Sequence, residues 1–410
     1  MRIRPVFALS SLAFVVAAGA RPVVAADAPA AGYGYAAALG TELDKQVGDA
    51  LGRAKKYLLA QRDAAAGAWD PAGQVPVGFT ALAGVAIVGA TPREAVADDA
   101  VITAALKFVA GKQAANGSVY SNPRYVNYET SIVISFLAAA RAKAYVDVTA
   151  KARDYVLASQ IQGKEDDPSF GGFPYESKSD PGAPVDLSNA QFAVDAAAAA
   201  GVEDPGFWSR VTAYLGRVQN RSETNAAVVT LKEGDKTYEV VAGNDGGAGY
   251  APGRSKAGYV ERADGKREPR SYGSMTYALL KCLLFAGVKA DDARVEAAVA
   301  WLARSFTVER NPGFEASKDA VAAGQQGYYY YLLTMARALS AYEKTTGKPL
   351  VVKDAEGKTH AWRQAVAAKL VSLQREDGSW VNANERWEEA MPLVATAYAA
   401  QALAVCQGRL

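Results

Sequence analysis

Trp362-Arg363-Gln364-Ala365-Val366-Ala367-Ala368-Lys369-Leu370-Val371-Ser372-Leu373-Gln374, then Asp377-Gly378-Ser379-Trp380, then an apolar run from Met391 to Cys406, is the stretch that decides the fold. Val366, Leu370 and Leu373 recur at helical spacing, so the first segment reads as an amphipathic helix with one apolar stripe. The last run is apolar on nearly every side, as a buried helix is. Together they make a helix hairpin joined by a Gly-aromatic turn. The same order occurs six times along the 410 residues.

The amphipathic, outer segments are expected over 43–64, 99–114, 146–160, 207–219, 291–307 and 362–374. The inner, Ala-rich segments are expected over 77–89, 128–140, 187–200, 275–286, 327–341 and 392–406. Six hairpins can close into a ring, which predicts an all-α fold: an (α/α)6 toroid over 42–410 with small β-hairpin insertions. A ring also explains how one domain exceeds the usual single-core limit of about 250–300 residues.

Connections between the segments are unequal. Inner-to-outer links are short, such as Gly287-Val288-Lys289-Ala290. Outer-to-inner links are longer and rich in Gly, Pro and aromatics, such as Ser169-Phe170-Gly171-Gly172-Phe173-Pro174-Tyr175. The long links therefore gather on one rim, where each inner helix begins, and long loops on a rigid scaffold carry binding. Within the longest insertion, 222–271, two strand pairs are expected around Gly234-Asp235 and Asp264-Gly265. Val351-Val352-Lys353 predicts another strand, on the opposite rim.

Residues 1–26 read as an export signal: Arg2 and Arg4, an apolar stretch from Val6 to Ala18, and small residues at Val23-Val24-Ala25-Ala26. The protein is expected to be periplasmic or secreted, with a flexible segment over 27–41. Removing residues 1–26 takes away three arginines and no acids, so the formal charge goes from +2 to −1. That balance gives no basic footprint for nucleic acid. No later apolar run approaches the roughly 18 residues of a transmembrane segment. Cys282 and Cys406 fall on inner helices two hairpins apart and are expected to stay free thiols.

The Gln and Gly-x-Trp signature resembles the repeat of the prenyltransferase and squalene oxidase family (squalene-hopene cyclase-like). Gln374 with Gly378-Ser379-Trp380 matches it well, and Gln61 with Gly67-Ala68-Trp69 is a stretched copy. Gln113 with Gly117-Ser118 and Gln160 with Gly171-Gly172-Phe173 are degenerate, and the fifth copy lacks the Gln. Asp186-Leu187-Ser188-Asn189, Ser271-Tyr272-Gly273-Ser274 and Tyr328-Tyr329-Tyr330-Tyr331 look like exported bacterial members. The resemblance spans about residues 45–407 and implies the toroid and a central cavity. Physically, the Gln is expected to tie helix-end carbonyls to the next turn, and the Trp to pack between outer helices.

Chemistry is less legible. The resemblance implies an Asp-x-Asp-Asp acid for a cyclase, which this chain lacks, or an Asp, Cys and His zinc site for a prenyltransferase. His360 is the only histidine, so no metal site and no cofactor are expected. Asp186, at the start of an inner helix, is either the catalytic acid or a helix cap. Glu389, beside Glu388, is either a second acid or a helix-dipole partner. Tyr128, Tyr175, Asn189, Tyr272, Tyr328 and Trp387 are the candidate ligand-binding residues, because aromatic faces stabilise cations and stack on sugars. Three readings follow: a terpenoid-cyclase-like enzyme acting on a small apolar ligand, a non-catalytic binding or scaffold module holding a peptide, lipid or glycan, and a glycan-processing toroid using Asp186 and Glu389.

Overall fold

The computed structural model describes residues 39–70, 73–176, 183–348, 351–353 and 357–410. The expected export signal, 1–26, and residues 27–38 lie outside the described residues. The chain is mostly helical with a small sheet. The outer helices are α1 (Thr41–Ala60), α3 (Ala100–Ala110), α5 (Val146–Ser159), α7 (Pro205–Val218), α9 (Ala293–Arg304) and α12 (Trp362–Leu373). The inner helices are α2 (Pro76–Ala90), α4 (Val126–Ala139), α6 (Leu187–Ala199), α8 (Gly273–Phe285), α11 (Tyr328–Thr346) and α13 (Pro392–Cys406). A short helix, α10 (Ala320–Gly324), is additional to the expected twelve.

Burial separates the two sets. Helix α1 buries only a stripe, Val47, Ala50, Leu51, Ala54 and Leu58. Helix α13 buries every residue from Leu393 to Cys406. The inner helices contact one another in the order α2–α4–α6–α8–α11–α13, and α13 returns to α2. That circuit is closed. Helix α12 likewise contacts α1, and α1 contacts α13. Cys282 and Cys406 are both free and buried, and burial pushes each thiol up to about 12.

The repeat residues hold the circuit together, with partners other than those expected. Gln374 Nε2 donates to the carbonyl of Gly378, in its own turn, at 3.0 Å and to that of Ala50, in α1, at 2.9 Å. Gln113 bonds Gly117 and Val148 in the same way, Gln160 bonds Gly171 and Phe207, and Gln219 bonds Gly246 and Arg294. Each Gln thus reaches the next outer helix. The Trp takes the helix-end carbonyl instead: Trp380 Nε1 donates to Leu370 at 2.9 Å, and Trp69 Nε1 to Leu58 at 2.7 Å. The repeat glycine is forced by closeness. Gly378 has φ 87°, and a Cβ there would stand 2.6 Å from the Arg53 carbonyl oxygen.

A threonine on four inner helices completes the joint. Thr80, Thr130, Thr276 and Thr396 each accept the backbone N–H of the turn above, from Trp69, Val119, Ala248 and Trp380.

The insertion forms β1 (Val229–Glu233), β2 (Lys236–Val240), β3 (Tyr259–Glu261) and β4 (Arg267–Pro269). Both expected hairpins form, and a parallel contact of β2 with β4 joins them into one sheet, order β1-β2-β4-β3. Strands β5 (Val351–Lys353) and β6 (Thr359–Ala361) pair before α12, and His360 lies on β6.

Candidate functional site

A cavity of about 400 Å³ opens at the rim where the inner helices start. All six contribute to its wall from their first turns. The deepest wall residues, Leu82, Phe192 and Tyr398, sit in the second turn, about 8–9 Å below the helix starts at 1.5 Å per residue. The long-loop rim is therefore the cavity's mouth.

Aromatic side chains form a belt inside it. Tyr128 and Phe192 meet edge to face at 5.0 Å, Phe192 and Tyr330 lie 6.4 Å apart, and Tyr330 and Tyr398 meet at 5.9 Å. The Tyr398 and Tyr128 phenols act on each other's ionisation, and burial pushes the Tyr128 phenol up to about 12. Nearer the mouth, Tyr175 stacks by Tyr125, and Tyr250 by Trp387. Of four consecutive tyrosines, Tyr330 alone lines the cavity, as a turn of about 100° per residue allows.

Asp186 sits just behind this wall, 6% exposed, at the N-cap of α6. Its Oδ1 accepts from the backbone N–H of Asn189 at 2.8 Å and from Ser188 Oγ at 2.7 Å, and Tyr175 lies at 3.4 Å. Its Oδ2 accepts from the Tyr250 hydroxyl at 2.8 Å. Burial raises its pKa, and these donors oppose the rise. Asp186 is thus both a cap and a buried carboxyl in contact with two wall tyrosines.

Glu389 is fully buried and absent from the cavity lining. Its carboxylate accepts the backbone N–H of Tyr330 at 2.7 Å and of Tyr329 at 3.2 Å, and Asn382 Nδ2 at 2.8 Å. It caps the neighbouring helix α11 rather than facing Asp186 across the cavity. Burial raises its pKa to about 7.

Two more candidates are placed elsewhere. Asn189 is buried and donates to the carbonyls of Phe173 and Pro174, both at 2.9 Å, fixing the loop that carries Tyr175. Tyr328 is buried and its hydroxyl donates to Val308. Tyr128, Tyr175, Tyr272 and Trp387 do line the cavity.

Several site residues carried no sequence argument. Glu129, in the first turn of α4, is fully buried and caps α2 through Gly78, while also binding Ser121. An acid inside the apolar run Val126 to Leu137 was the available signal. Asn311 accepts the N–H of Ser274 at the start of α8. Lys256 lines the mouth from the insertion, where nothing local marks it. Below the belt, Lys281 pairs with Asp195 at 2.7 Å, and Arg337 with the same carboxylate at 3.1 Å. Gln191 and Gln401 join this layer, and Gln401 reaches the Leu82 carbonyl on α2. Among the described residues, no group of acids, cysteines and histidine could hold a metal ion. None of the described helices is long and apolar enough to cross a membrane.

The fold is that of the type II terpene cyclases. Solved structures of one such enzyme, MstE from Scytonema, superpose on 90% of this chain. A ligand-free Tyr-to-Phe variant gives a TM-score of 0.55 at 17% identity over 99% of its own length. An Arg-to-Ala variant in complex with its substrate, geranylgeranyl dihydroxybenzoate, gives 0.55 at 16% over 100%. An Asp-to-Ala variant with its product, merosterolic acid A, gives 0.53 at 18% over 99%. No family model matches the chain. No curated protein matches it either.

Proposed function

We propose that the protein is an exported six-hairpin toroid of terpenoid-cyclase-like function that takes an extended, apolar, prenyl-type molecule into its aromatic cavity. The carrying observation is the belt of Tyr128, Phe192, Tyr330 and Tyr398 inside the cavity, below its mouth. Such faces stabilise a passing carbocation by about 0.5–2 kcal/mol each. The closed circuit of helix contacts supports the toroid. The apolar prenyl substrate of the structural neighbour supports the ligand class.

The proton relay of this reading is Asp186 with Tyr250, supported by the 2.8 Å hydrogen bond between them. Asp186 in its protonated form gives its proton to the Tyr250 oxygen, while the Tyr250 hydroxyl proton passes to an alkene carbon. The alkene's electron pair forms the new C–H bond, the resulting cation is quenched by ring closure and loss of a proton to water, and the Asp186 carboxylate takes a proton back from water. No net oxidation occurs. A second reading, a non-catalytic apolar carrier, is favoured by one observation: among the described residues, Glu388 is the only carboxylate residue on the wall. The glycan reading needs Asp186 and Glu389 to face each other, and Glu389 is committed to α11.

The test is native mass spectrometry of the protein purified from its export compartment, followed by turnover of polyprenyl probes by wild type and Asp186→Asn. A co-purifying prenoid and turnover abolished by Asp186→Asn support the enzyme. A bound prenoid with no turnover by wild type leaves the carrier. A ligand that is polar throughout would end both.

A further inference from the structure

An apolar tail accounts for the belt and leaves one wall residue unexplained. Lys256 lies at the mouth, its Nζ 4.5 Å from the ring centre of Tyr250 and 5.7 Å from that of Trp387. Among the described residues it makes no ion pair. Burial depresses its pKa, and Arg386 and Arg254 depress it further. Arg386 stands beside Trp387, its guanidinium 5.5 Å from the ring. Facing these three cations are Asp186, which lies behind Tyr250, and the exposed Glu388.

A wholly hydrocarbon ligand fits this mouth poorly. Covering an unpaired ammonium with an apolar tail removes its water without a replacement partner. A carbocation formed beside it would be repelled by the like charge. An anion at the mouth removes both penalties. Nor would the inner-helix N–H groups compete for that anion. Those of α2, α6, α8 and α11 already donate to Glu129, Asp186, Asn311 and Glu389.

Resting on the apolar-ligand reading above, we infer that the ligand is an amphiphile. Its tail fills the aromatic belt, and one acidic head group, a carboxylate or a phosphate monoester, is held at the mouth by Lys256 with Arg386 and Arg254 alongside. Lys256 is then a specificity residue that selects the head group, while the belt selects the tail. With the head group's negative charge beside Lys256, a cation formed next to Tyr250 is no longer repelled.

Titrating the full chain with farnesol, farnesoic acid and farnesyl monophosphate, followed by tryptophan fluorescence and calorimetry at low salt, tests this. Wild type should bind the two acids at least about tenfold more tightly than the alcohol, the scale of a charge-assisted contact. Whichever acid binds more tightly identifies the head group. Lys256→Met should close the gap, with farnesol bound at least as tightly as by wild type, and Lys256→Arg should keep most of the gap. Equal affinities for all three probes in wild type would overturn the head-group inference while leaving the apolar reading intact. A gap that survives in Lys256→Met would overturn the role of Lys256. Failure of all three to bind a protein that melts cooperatively would overturn the apolar reading as well.

Discussion

Gln374 Nε2 donates to the carbonyl oxygen of Ala50 at 2.9 Å, joining positions 324 residues apart. Its Oε1 accepts from Arg53 Nε at 3.0 Å and also from Arg53 Nη2, so one side chain binds the first outer helix at two residues and its own turn at one. This is the same joint that Gln113, Gln160 and Gln219 make between successive outer helices, used here to bring the last repeat onto the first. Losing it should open the seam. Gln374→Ala is expected to lower unfolding free energy by about 1–3 kcal/mol, the cost of leaving partly buried partners unpaired. Urea denaturation checks this, and an unchanged midpoint would show the seam is held by packing alone.

Glu389 predicts a pH dependence of opposite sign to that of an ordinary surface carboxylate. Its pKa in the folded protein is raised from 4.5 to about 7 by burial. The folded state therefore holds a proton between these values that the unfolded chain releases. The contribution is fully present below pH 4.5 and is lost as pH rises through about 7, on the order of a few kcal/mol in all. Denaturation curves from pH 5 to 8 should show this loss in wild type and a flatter profile in Glu389→Gln. Parallel profiles would mean that the carboxyl titrates alike in both states.

The Lys281–Asp195–Arg337 cluster gives a third expectation. Asp195 Oδ1 already lacks a partner, so the carboxylate depends on its two cations through Oδ2. Lys281→Met should cost about 3–5 kcal/mol, the usual penalty for breaking one side of a buried pair. The double variant Lys281→Met with Asp195→Leu should be less destabilised than Lys281→Met alone. Additive losses, measured by thermal and urea unfolding, would contradict the pairing.

Much of the fold was written in local spacing. The expected segment 392–406 matches α13 to the residue, and the others agree within a few residues at each end. Hairpins at Gly234-Asp235 and Asp264-Gly265 were likewise visible, because turn chemistry is local. What spacing could not show was which atoms meet across the ring. The Gln and Trp of the repeat were expected with nearly exchanged partners. Glu389 drew notice as an acid opening an inner helix, yet it caps the neighbouring helix and not its own. Asn189 and Tyr328 sit in the right turns but point into loop scaffolding. Lys256 belongs to an insertion without periodicity, so only the folded loop brings it to Tyr250 and Trp387.

The charged layer under the aromatic belt has a kinetic consequence. Lys281, Asp195, Gln191, Arg337 and Gln401 come from α8, α6, α11 and α13, and Gln401 adds α2, so the axis is stoppered from below. The molecule is a flask and not a pipe: whatever goes in must come back out past Trp387 and Tyr250. Entry and departure then share a single neck, and a fresh guest waits until the previous one has gone.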